Sequence, residues 1–238
     1  MCIRDSYYNA HKIALSSVNA THAPREQYPL YYALVKKLSS EAQIPMPKLY
    51  IMNSDQINAF ASGRDPHHAV ICVTTGSFKK LNKEELEGVL AHEISHILNY
   101  DIRYMTFVTV MVGIIAIFSE FFLRSLWFGG NKRENNALFF VLAIIAAILA
   151  PLIVQLVQLA ISRKREFGAD ASALKLTKSS KGLSSALSKI KNDSFKTFKA
   201  PKALSPLFIS DPLKRKLAGL FSTHPPIDER IKILALAF

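Results

Sequence analysis

The chain has 238 residues, 50% apolar and 20% charged, with a formal net charge of +12. That is enough for one sizeable core, or for a modest domain with membrane segments. The two cysteines, Cys2 and Cys72, form no C-x-x-C, which excludes a disulfide framework and a thiolate zinc site and suits a reducing compartment. The basic residues are not interleaved with an aromatic binding pattern, so the charge points to a membrane surface and no nucleic-acid partner is expected.

Residues 1–25 contain no apolar run long enough for a signal peptide or a span. Met1-Cys2-Ile3-Arg4-Asp5-Ser6 reads as a fragmentary beginning, so 1–25 is expected to be a lead-in. From Arg25 to Ala42 the apolar residues Leu30, Ala33, Leu34, Leu38 and Ala42 recur at helical spacing, and Pro45 and Pro47 stop the pattern. Lys48–Met52 reads as a short strand. Turns are expected at Ser54–Ile57 and Arg64-Asp65-Pro66. The β-branched run Ala69–Thr74 is a second strand.

The next helix carries the chemistry. Asn82 and Glu85 have the spacing of a capping box. Leu86, Val89, Leu90, Ile94, Ile97 and Leu98 give an apolar surface. Gly88 costs about 1 kcal/mol against alanine and marks close packing. His92-Glu93-Ile94-Ser95-His96 reads H-E-x-x-H. Residues four apart share a helix face, so His92 and His96 can hold one metal ion. Glu93, one step round, can reach a metal-activated water as general base without being a ligand. Two imidazoles and a carboxylate with one open position suit zinc. The plainer alternative is a buried helix with two histidines that fall four apart.

From Tyr104 to Ser119 there is no charge, and the apolar stretch runs to about residue 123, interrupted by Glu120. Residues 124–136 form a loop with Gly129-Gly130. From Ala137 to Val154 no polar side chain occurs, and the helix can continue to Ile161. Each stretch falls in the roughly 17–25 residue range that spans a bilayer; buried core helices are the alternative. A hairpin of two spans returns the chain to the face it left. Glu166 then lies on the same side as His92 and His96, where three ligands can meet. Asp170, four residues on, can accept a ring N–H from a ligating histidine. Taken alone, Glu166 and Asp170 are a solvated charged turn beside Arg163 and Arg165.

Lys83, Arg103, Arg163, Lys164 and Arg165 flank the hairpin ends, which places the catalytic part in the cytoplasm. Residues 175–202 hold eight lysines against one acid, Asp193. This is a solvated surface, with contact to anionic headgroups as the other reading. Residues near 195–215 are expected to form a loop. Pro225-Pro226 starts a terminal helix to about Leu236. His224, just before it, can donate to an oxyanion, and Arg230 can orient a ligand carboxylate or substrate. Local capping and a surface ion pair are the alternatives for these two.

Together, Ile57-Asn58-Ala59-Phe60-Ala61-Ser62-Gly63, Ala91–His96, Ser162–Asp170 and Thr223–Ile231 resemble the HtpX-like membrane zinc metalloproteases, a family that includes the type I CAAX prenyl endopeptidases. The resemblance covers residue 26 to the end. It implies an α+β, zincin-like domain, mostly α-helical with a small β-sheet, interrupted by a transmembrane helical hairpin. The expected parts are 1–25, 26–103, the hairpin 104–161 (about 104–123 and 137–161) and 162–238. It implies one Zn2+ per chain held by His92, His96 and Glu166, with Glu93 as base and His224 and Arg230 near the site. Asn58, Ala59 and Phe60 would lay a peptide along an edge strand. Unfolded or damaged membrane proteins are the implied substrates, cut in a bacterial inner membrane. A CAAX-type processing protease and a catalytically silent scaffold are the alternatives. Two departures are noted. Relatives usually carry two further membrane helices before the catalytic domain, and many have His at the position of Gly168.

Overall fold

The computed structural model describes residues 9–105, 107, 144, 163–193, 207–209 and 224–236. The helices are α1 (Ala10–Ser17), α2 (Pro29–Glu41), α3 (Thr75–Lys80), α4 (Lys83–Leu98), α5 (101–105), α6 (163–177), α7 (Lys181–Asn192) and α8 (Ile227–Leu236). The strands are β1 (Thr21–His22), β2 (Lys48–Met52), β3 (Ala59–Ser62) and β4 (Val70–Thr74). They form one sheet in the order β1-β2-β4-β3. β2 and β4 run parallel, and the flanking pairs are antiparallel.

Both faces of the sheet are covered, so the β-branched β4 is buried along its whole length. On one face Leu49, Ile51, Ala59, Ala61, Ile71 and Val73 join a core with Tyr31, Leu34 and Leu38 of α2 and Leu86, Leu90 and Ile94 of α4. On the other, Met52, Phe60, Val70 and Cys72 meet Ala14, Leu15 and Val18 at α1, together with Phe208. Side chains alternate across a strand, so each strand feeds both layers.

The expected strands and the two motif-bearing helices are present. α2 starts at Pro29, later than Arg25, because residues 25–27 turn and proline's fixed φ suits the first helical position. The capping box of α4 is complete: Asn82 Oδ1 accepts from the Glu85 N–H at 2.9 Å, and Glu85 Oε2 accepts from the Asn82 N–H at 2.8 Å. From Ala10 onward the expected lead-in contributes α1 and β1 to the fold. β1 is only two residues long, and its antiparallel pairing with β2 is non-local.

α4 packs along α7, and Gly88 lies at the closest approach. A Cβ there would stand 2.5 Å from Leu183 N and 2.8 Å from Leu183 Cα. Gly182 makes the reciprocal approach, with Glu84 O 2.3 Å from where its Cβ would be. One turn earlier, Glu85 accepts hydrogen bonds from Ser185 Oγ and Lys189 Nζ, both at 2.7 Å. A lysine from the basic stretch therefore holds the metal helix, beyond any solvating role.

Among the described residues no helix is long and apolar enough to cross a membrane. The hairpin expected at about 104–123 and 137–161, with its loop, lies outside the described residues save for 104, 105, 107 and 144. So do the beginning of the chain and most of the stretch near 195–215.

Candidate metal centre

α4 places His92 and His96 one turn apart, and α6 brings Glu166 to them. One donor atom from each lies within 4.8 Å of the others. The two Nε2 atoms are 3.1 Å apart. Glu166 Oε2 is 3.5 Å from His92 Nε2, and Oε1 is 3.6 Å from His96 Nε2. His92 and Glu166 are buried, and His96 is only partly exposed.

The outer nitrogens are held by carboxylates. His92 Nδ1–H donates to Asp170 Oδ1 at 2.9 Å. His96 Nδ1–H donates to Asp101 Oδ2 at 3.0 Å. Both Nε2 atoms are thereby turned inward. Arg230 is 1% exposed and lies beneath this layer. Its Nε and Nη2 donate to Asp170 at 2.8 and 2.7 Å, and its Nη1 is 3.2 Å from Glu166 Oε2. It thus touches one ligand carboxylate and the carboxylate that orients a ligand imidazole.

Sequence reasoning missed Asp101. The chain turns through a left-handed residue at Tyr100 (φ 59) and returns Asp101 to the imidazole it has just passed. The available signal was an acid five residues after His96. Periodicity does not connect the two, because the helix ends between them.

Glu93 is 1% exposed, and its carboxylate oxygens make no ordinary hydrogen bond among the described residues. The Ala61 N–H of β3 is close enough to favour its charged form. His224 is buried, with Nδ1 3.3 Å from Glu166 Oε2, so it faces a ligand.

Burial raises the Glu93 pKa, only partly offset by His92 and His96. Burial also opposes charge on Glu166, but His224, His92 and Arg230 hold its carboxyl well below the usual range. Asp170 is likewise opposed by burial, yet Arg230 and His92 bring it down to about 2. For His92, burial and Arg230 disfavour the proton, and the bonds to Asp170 and Glu166 outweigh them, raising it to about 9.

β3 is at the sheet edge, but its outward groups at Ala59 are engaged. Asn58 Oδ1 accepts from the Ala59 N–H at 3.0 Å. The Ile209 N–H donates to Ala59 O at 2.9 Å. Phe60 bridges antiparallel to Phe208, with ring centroids 5.0 Å apart. Asn58 itself is buried, its N–H donating to Thr74 Oγ1 and Ser77 Oγ. Leu207 lines a cleft with Ala61, His96, Met105 and Glu166.

The donor set fits a zinc ion. Bond lengths of about 2.0–2.2 Å in a tetrahedron separate ligand atoms by roughly 3.3–3.6 Å. The Nε2–Nε2 separation of 3.1 Å is close to this, and each imidazole has its own Glu166 oxygen at a similar range, Oε2 at 3.5 Å from His92 and Oε1 at 3.6 Å from His96. Two imidazoles with carboxylate-held outer nitrogens are the ligand chemistry zinc takes.

A family model described as peptidase family M48 matches residues 30–236. A protease HtpX homolog of Caldanaerobacter subterraneus subsp. tengcongensis is 44% identical over 236 residues, covering 96% of this chain and 79% of that protein. One from Thermoanaerobacter pseudethanolicus is 45% identical with the same coverage. The crystal structure of S. mikatae Ste24p superposes with a TM-score of 0.61 at 20% identity, over 98% of this chain and 56% of that one, a likeness of fold. With a family model spanning most of its length and a His-His-Glu cluster at the matching motif, this chain belongs to peptidase family M48 and is an H-E-x-x-H-plus-glutamate metalloprotease.

Proposed function

We propose that the chain is a zinc-dependent endopeptidase of a bacterial inner membrane that cuts unfolded or damaged proteins on the cytoplasmic side. The observation that carries it is the convergence of His92, His96 and Glu166 beside the buried Glu93. The membrane reading rests on the two apolar stretches that separate His96 from Glu166 in the sequence, and on the basic residues flanking them.

His92, His96 and Glu166 would hold one zinc ion. Bound there, zinc supplies Lewis acidity, polarising a carbonyl and lowering the pKa of water to about 7. Glu93 takes a proton from the attacking water and delivers it to the leaving amine. Its burial supports this, because a raised carboxyl pKa narrows the gap to a proton in transit. His224 donates a hydrogen bond to the developing oxyanion. Asp170 and Arg230 keep His92 and Glu166 in place. A peptide adds to the edge of β3, where its backbone would replace the bond that Ile209 now makes to Ala59. An unfolded chain offers the extended strand this needs, and a folded one does not.

The test is cleavage of casein by protein purified with chelator in detergent and then titrated with zinc. The reading expects cleavage to appear with the first equivalent. Stoichiometric zinc binding without cleavage would favour a silent scaffold.

A further inference from the structure

We infer that Asp101 and Arg165 form a positioning pair that orients His96 for the metal and ties its aim to the helix carrying Glu166. The inference rests on the zinc reading above and deepens it. Both Asp101 oxygens are engaged: Oδ2 accepts from His96 Nδ1 at 3.0 Å, and Oδ1 accepts from Arg165 Nη1 at 2.7 Å. The Asp101 side chain is 8% exposed, so these bonds form largely away from water. The Arg165 guanidinium also lies 3.9 Å from the centroid of the Tyr104 ring, which fixes the plane of the donor.

An imidazole can rotate about its Cβ–Cγ bond and can carry its proton on either nitrogen. A carboxylate at Nδ1 removes both freedoms and leaves Nε2 as the lone-pair donor. His92 is buried and has Asp170 and Arg230 around it. His96 is more exposed, and Asp101 is the carboxylate on its outer nitrogen. Arg165 is adjacent in sequence to Glu166, so the pair links the second ligand to the third across the long apolar interval of the sequence. Asp101 directly precedes that interval and Arg165 follows it. The left-handed backbone at exposed Tyr100, unfavourable for a bulky residue, is held where it delivers Asp101 to His96.

The experiment compares wild type, Asp101→Asn, Arg165→Gln and the double variant. Zinc affinity is read by competition against a chelator, and the visible spectrum of the Co2+-loaded protein reports the ligand field. Unfolding of the chelated protein checks that each variant is folded. Asp101→Asn is expected to lose 10–100-fold in zinc affinity and to alter the cobalt spectrum. Arg165→Gln should lose less. The double variant should be no worse than Asp101→Asn, because Arg165 acts through Asp101. Wild-type affinity and spectrum in a folded Asp101→Asn would overturn the inference and leave the zinc reading intact. A wild type that takes up no zinc would overturn both. If Asp101→Asn does not fold, Arg165→Gln decides alone: an unchanged cobalt spectrum there removes the claimed coupling.

Discussion

Replacing Gly88 with alanine separates a packing account of the metal helix from a propensity account. An alanine inside a helix is favoured over glycine by about 1 kcal/mol, so propensity alone predicts stabilisation. The structure predicts the opposite. The added Cβ would lie 2.5 Å from Leu183 N, 2.8 Å from Leu183 Cα and 2.9 Å from Gly182 C. All three are backbone atoms of α7, so relief requires the helices to part. Overpacking of this kind costs about 1–3 kcal/mol, and with three such contacts we take the upper end. After the propensity gain, the net loss is about 2 kcal/mol. At roughly 2–4 °C per kcal/mol for a chain of this size, the unfolding midpoint falls by about 4–8 °C. Parting α4 from α7 also moves His92, one turn beyond Gly88, so zinc affinity falls with stability. The assay is thermal unfolding of the chelated protein in detergent, beside Gly168→Ala. Gly168 is exposed in α6, and among the described residues no heavy atom lies within 4 Å of its would-be Cβ. That variant should gain about 0.5–1 kcal/mol. A raised midpoint for Gly88→Ala would refute the reasoning.

Two further outcomes follow from the same contacts. Burial opposes charge on Glu85, but its bonds to Lys189, the Asn82 N–H and Ser185 lower its pKa below the ordinary 4.5. The stabilisation is therefore full above about pH 4.5 and is lost as pH falls through the lower folded value. Glu85→Gln should cost about 1–3 kcal/mol at neutral pH and flatten the acid limb of the stability curve; an unchanged acid limb would count against this. Ile209→Pro removes the N–H that bonds Ala59 O and should leave the β3 edge open. A lower KM for casein with kcat little changed is expected, and an unchanged KM would mean that peptides do not use that edge.

What could be read from the sequence follows the range of each interaction. Asn82 with Glu85, and His92 with His96, act within one or two helical turns, so spacing reveals them. β2 and β4 announce themselves by β-branched runs. Glu166 and Asp170 were reachable through the expectation of a membrane hairpin, which would return the chain to the side of His92. The remainder depends on contacts that no local pattern encodes. β1 is a strand only because β2 lies beside it. Leu207–Ile209 sits in a stretch read as loop, and its bridge to Phe60 joins segments distant in sequence. Asp101 reaches His96 through a left-handed turn at a tyrosine, where glycine is the usual signal. Gly88 was legible as close packing, while its partner Gly182 was hidden inside a lysine-rich run.

The most direct test of the central claim is zinc content measured together with casein cleavage for Glu93→Gln. The account assigns metal holding to His92, His96 and Glu166 and proton transfer to Glu93. It predicts one zinc per chain, as in wild type, and cleavage reduced by several orders of magnitude. Cleavage near the wild-type rate with zinc bound would contradict it, because the proton would then be moving through another group.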